Sequence, residues 1–119
     1  LEEYRKRREK ITLNRDLRKC VIHGDPVFKN FLIDSSGSIT AWIDYDMMSV
    51  STQLWDLADI IEDTEALFFL MKSGSGLLDA YISISPLSSQ EQDSLPDYIR
   101  LMALDTGYRY ILALDPSSG

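Results

Sequence analysis

Apolar residues recur at three- and four-residue steps through the second half of the chain, whereas between residues 20 and 43 they gather into short runs. Leu54, Leu57, Ala58 and Ile61 form one stripe, which predicts a helix from about Thr52. The helical pattern continues through 65–71, and Gly74 and Gly76 are expected to break it before a further helix over 77–84 that stops near Pro86. Ser88 or Ser89, with Glu91 shortly after, marks another helix start with acid at its positive end. A last helix is predicted over 96–114, with Pro96 in its first turn, where its missing amide breaks no helical bond. At the other end, residues 1–19 read as one helix rich in Glu, Arg and Lys, with a thin apolar stripe of Tyr4, Ile11, Leu13 and Leu17. Cys20-Val21-Ile22 reads as a short buried run, and His23-Gly24-Asp25-Pro26 as a loop. Residues 31–34 and 39–43, parted by Ser35-Ser36-Gly37-Ser38, predict a β-hairpin with Asp44 directly behind its second strand. The fold class is therefore α+β, predominantly α, as a single domain over 1–119.

Composition narrows the function classes. An apolar share of 45% and a charged share of 26% suit a globular core. The net charge of −7 argues against nucleic acid as a partner, since a phosphate-backbone binder needs a basic face. Basic residues do crowd the start (Arg5, Lys6, Arg7, Arg8, Lys10), but Glu2, Glu3 and Glu9 interleave with them, as on a salt-bridged, solvated helix face. Cys20 is the one cysteine, so no internal disulfide forms and a reducing compartment, the cytoplasm, is expected. No apolar run approaches the ~20 residues that span a bilayer, and no membrane partner is expected.

The chemistry is concentrated in His23-x-Asp25-x-x-x-x-Asn30, followed by Asp44 at a strand end. Phosphoryl transfer needs positioning and charge neutralisation more than covalent help. It calls for one carboxylate to take or orient a hydroxyl proton, and for hard oxygen ligands to hold Mg²⁺ against phosphates. Asp25, Asn30 and Asp44 are the right residue types, and a hairpin over 31–43 would return Asp44 beside Asn30. Simpler roles fit the same residues one by one. Asp25 before Pro26 suits an ordinary turn, Asn30 a turn cap, and Asp44 a hairpin closure. Lys29 reads as surface, Asp46 as a contact to a second cation or a cationic substrate or else as a solvated acid, and Trp42, Trp55 and Tyr45 as core aromatics.

The stretch Val21-Ile22-His23-Gly24-Asp25 through Asn30 resembles the catalytic loop of the aminoglycoside, choline and homoserine kinase-like phosphotransferases. Trp42-Ile43-Asp44-Tyr45-Asp46 resembles their metal-binding segment, and Asp56-Leu57-Ala58 a downstream helix start. Leu78-Asp79-Ala80-Tyr81 and the helical tail are similar to homoserine kinase-like members. The resemblance implies the C-terminal lobe of a protein-kinase-like fold, whose hairpin carries the catalytic and metal-binding segments. It implies Asp25 as catalytic base, Asn30 and Asp44 as Mg²⁺ and nucleotide ligands, and His23 and Asp56 as loop braces. It implies ATP as co-substrate, Mg as cofactor, and a hydroxyl of an amino sugar, amino alcohol or amino acid as acceptor.

A kinase of this kind also has an N-terminal lobe with a phosphate-gripping lysine, and no such pattern stands before Gly24, the first glycine. That lobe is expected upstream, and the chain by itself is expected to be inactive. Val27, Phe28, Phe31, Met47 and Met48 are then expected to be exposed and to favour self-association. The rival reading is a non-catalytic, pseudokinase-like binding module. A metal-dependent hydrolase on His23, Asp25 and Asp44 is weaker, because such sites take further histidines and His23 is the one histidine.

Overall fold

The computed structural model describes residues 1–71 and 76–114, with the side chains of 64–71 set aside. Its elements run α1 (Glu2–Glu9), β1 (Cys20–Ile22), a 3-10 turn (Phe28–Asn30), β2 (Phe31–Ile33), β3 (Ile39–Trp42), β4 (Ser49–Ser51), α2 (Leu54–Met71), α3 (Gly76–Ile84) and α4 (Ser89–Leu114). The expected break at Gly74 lies outside the described residues. Among the described residues no helix is long and apolar enough to cross a membrane.

The core is helical. Leu54, Leu57 and Ala58 of α2 are fully buried and meet Leu87, Leu95 and Tyr98, with Leu17 closing one side. The Tyr98 ring stands edge-on to Trp55, and its hydroxyl donates to the Asn14 carbonyl at 2.9 Å. That bond helps explain why the helix expected over 1–19 covers only 2–9. Asn14 also accepts the Asp16 amide through its side chain at 3.0 Å, an Asx turn that competes with helix. Leu13 and Leu17 thus reach the core from an irregular segment.

Two small antiparallel sheets carry the site. β2 and β3 form the expected hairpin, pairing Phe31 with Trp42 and Leu32 with Ala41. Its turn is built by Asp34, whose carboxylate accepts the Ser36 hydroxyl and the Ser36 and Ser38 amides, while Gly37 takes a φ of 86°. Those donors, the Ser36 hydroxyl foremost, hold the Asp34 carboxyl below its ordinary range. The second sheet was not expected. Cys20-Val21-Ile22 pairs with Ser49-Val50-Ser51, and only Ile22 of the supposed buried run is buried; Val21 and Val50 face outward as an opposed pair.

The two helices expected after Ser88 are one. α4 runs from Ser89 through Pro96 to Leu114. Proline inside a helix costs about 3 kcal/mol. Buried residues on both sides, Glu91 and Leu95 before and Tyr98 and Leu101 after, hold the helix through it. A capping box fixes its start: Ser88 Oγ accepts the Glu91 amide at 3.2 Å, and Glu91 Oε2 accepts the Ser88 amide at 2.8 Å.

Candidate active site

α2 enters the site through Asp56. One carboxylate oxygen accepts the His23 amide at 2.8 Å and the other accepts the Gly24 amide at 2.9 Å. Gly24 can receive this grip because it has no side chain. Its φ is 86°, and a Cβ there would drive into the backbone carbonyl of Met47. The segment after Asp44 therefore packs directly on the loop.

His23 is buried and bonded through both ring nitrogens. Nδ1 lies 3.2 Å from the Asp25 amide and Nε2 lies 2.9 Å from the Ile43 carbonyl. A backbone N–H only donates and a carbonyl only accepts, so the proton belongs on Nε2 and Nδ1 is the acceptor. The imidazole thereby ties the amide of Asp25 to the peptide that enters Asp44. Trp42 and Tyr45 pack against it at tilts of 41° and 51°, with ring centroids 5.1 and 4.9 Å away. Tyr45, expected in the core, is an exposed ring beside His23.

Asn30 is buried at the end of the 3-10 turn. Its Nδ2 donates to the Asp25 carbonyl at 2.8 Å and to Asp25 Oδ2 at 3.0 Å, which leaves the amide oxygen as the free acceptor. Lys29 Nζ, read as surface, is exposed and stands 3.8 Å from the same Asp25 oxygen. At that exposure the pair contributes about 0–1 kcal/mol. The Ile43 amide donates to the Asn30 carbonyl at 2.9 Å, so Ile43 is clamped by Asn30 on one side and His23 on the other. Asp44 follows at once, exposed and with a φ of 63°, a left-handed conformation that Asp tolerates better than most residues. The fold thus gathers His23, Asp25, Asn30 and Asp56 by direct hydrogen bonds, and fixes the backbone of Asp44 beside Asn30 through Ile43.

The sequence model of the phosphotransferase enzyme family matches residues 1–98, most of the chain and all of this constellation. The chain belongs to that family. No curated protein matches it. In this phosphotransferase, among the described residues, no group of three or more His, Cys, Asp or Glu gathers as a metal cluster. Magnesium at a nucleotide takes one or two protein oxygens and fills its shell with water and phosphate. The free amide oxygen of Asn30 and the exposed carboxylate of Asp44 are hard donors of that type, so these residues fit the ion.

Two acids of the site escape the sequence reading. Asp59, one turn beyond Asp56 on α2, lines a cleft of about 240 Å³ with Gly24, Met47, Trp55, Asp56 and Met102. Burial raises its carboxyl, and the charges of Asp25, Glu62 and Asp63 add to this against the pull of Arg109, so it is pushed up to about 6. Asp63, one turn further, accepts the Phe28 amide at 2.9 Å. The signal was present as Asp56, Asp59 and Asp63 at i, i+3 and i+7. Phe28, Met47 and Met48 are exposed as expected, whereas Val27 and Phe31 are half-buried, Phe31 stacked on Trp42 at 5.2 Å.

Proposed function

We propose that this phosphotransferase moves the γ-phosphoryl group of ATP to a hydroxyl of a small molecule, and that the chain is the catalytic-loop lobe of a protein-kinase-like fold. Asp25 is the base. Its Oδ2 is occupied by Asn30 and approached by Lys29, so Oδ1 is the oxygen left to accept the hydroxyl's proton. Asn30 and Asp44 would hold a magnesium ion, which when bound neutralises phosphate charge. His23 and Asp56 keep the loop in register without touching the reacting atoms. The observation that carries the reading is the clamp on Ile43, which joins the Asp25–Asn30 pair to the residue before Asp44.

The acceptor is an amine-bearing alcohol: an amino sugar, amino alcohol or amino acid. Asp56 and Asp59 in the cleft beside Gly24, within a chain of net charge −7, favour a cationic group close to the hydroxyl. The nucleotide's second face is assigned to sequence outside this chain, so the chain alone is expected to be inactive. The test is ATP consumption by the intact protein across a panel of such alcohols. Asp25→Ala should reduce the acceptor-dependent rate by about a hundredfold or more, the scale of a general base. Undiminished turnover in that variant would refute the base assignment.

A further inference from the structure

We propose that Asp63 is a positioning residue for the catalytic loop, holding the far end of that loop as Asp56 holds the near end. The inference rests on the kinase reading of the site. The 3-10 turn Phe28–Asn30 has Val27 at its N-cap, a side chain with no atom to accept the free amides of the first turn. The Phe28 amide is instead satisfied from another element, by Asp63 Oδ2 at 2.9 Å. Asp63 is the cap of this turn, supplied from α2.

Asp56 and Asp63 are seven residues apart on α2, two turns, so they share a face and lie about 10 Å apart along the axis. The loop they grip runs from the amides of His23 and Gly24 to the amide of Phe28. Five residues of chain can reach about 17 Å when extended. The loop is therefore longer than the distance between its two anchors and does not run straight between them, and Asp25 lies within its slack. Pro26, fully buried, pins the middle. From Phe28 the constraint passes along the turn to Asn30, whose amide holds Asp25. Asp63 thus acts on the base through three residues and never meets substrate.

The bond between Asp63 and Phe28 lies near solvent, so water can replace the carboxylate without loss of the fold. What is lost is the fixed position of the turn. Misplacement of a reacting group by about 1 Å costs on the order of a hundredfold in rate. In the intact protein, Asp63→Ala should lower kcat by about a hundredfold while the KM for the acceptor stays within about twofold. Hydrogen exchange in peptides covering 24–31 should accelerate, with exchange elsewhere unchanged. Asp63→Asn keeps an oxygen acceptor without the charge and should recover kcat to within about tenfold of wild type. Wild-type kcat and unchanged loop exchange in Asp63→Ala would overturn the proposal. So would an Asp63→Asn variant as slow as Asp63→Ala, or faster exchange across the whole chain in both variants. Asp25→Ala run alongside separates the two claims. If it is as active as wild type, the assignment of Asp25 as base, on which this role rests, fails; if it is inactive while Asp63→Ala is not, only the role of Asp63 falls.

Discussion

Asp59 is a carboxylate set among carboxylates, and it opposes the fold whenever it is charged. Its folded value of about 6 lies above the ordinary 3.8, so between those limits the folded chain keeps a proton that the unfolded chain releases. Stability therefore falls as pH rises from about 4 to about 6, and the full penalty stands above that window. Asp59→Asn removes the charge, so in urea unfolding it should be more stable than wild type at about pH 7.5 and nearly equal to it at about pH 4. An equal difference at both pH values, or a less stable variant at the higher one, would show that Asp59 is not the group responsible. A site that retains such a residue at a cost in stability is consistent with a use for its charge in the cleft. The residue was readable in the sequence only as a solvated acid. On α2, Asp56, Asp59 and Asp63 lie opposite the Leu54, Leu57, Ala58 and Ile61 stripe, and the ordinary occupant of that face is water. Here the loop over 23–28 occupies it.

At the scale of elements, α4 depends on its first turn. Burial pushes the Glu91 carboxyl up, but the Ser88 amide, the Gln53 side-chain amide and Arg18 outweigh it, and the net shift is down from the usual glutamate value. Gln53 in turn accepts the hydroxyls of Tyr81 and Ser85, at 3.0 and 2.8 Å, so α3 hangs on the same cap. Glu91→Ala removes the cap and leaves the buried Gln53 amide without its partner, a loss of about 2–3 kcal/mol in denaturant unfolding. A loss below about 0.5 kcal/mol would contradict the network. The sign with pH follows from the lowered value: the contribution is present above the ordinary glutamate range and disappears as pH falls through the folded one. The helix start at Ser88 was legible because Ser-x-x-Glu is a local device. Continuity through Pro96 was not legible, since it depends on Tyr98 and Leu101 reaching a core made by other elements. The same holds for β1 and β4, three residues each and 27 to 31 positions apart at their paired residues, whose pairing no local pattern announces. The hairpin was legible because its turn residues and both strands are adjacent.

Across the whole molecule, the family was visible in the chain because phosphoryl transfer, the activity proposed for it, restricts residue types at fixed spacings. His23, Asp25, Asn30 and Asp56 also meet in space by hydrogen bonds. The anchors beneath the loop were not visible, because backbone amides accept a carboxylate from any element that happens to pass, and nothing in the loop's own sequence names Asp63. The central claim is that Asn30 and Asp44 serve one ion. The direct measurement is calorimetric titration of the intact protein with ATP, with and without magnesium, for wild type, Asn30→Ala, Asp44→Ala and the double variant. If they share one ion, each single change abolishes the magnesium-dependent gain in affinity and the double variant loses no more than the worse single one, a coupling of about 1–3 kcal/mol. Losses that simply add, or a magnesium-dependent gain that survives both changes, would contradict the account.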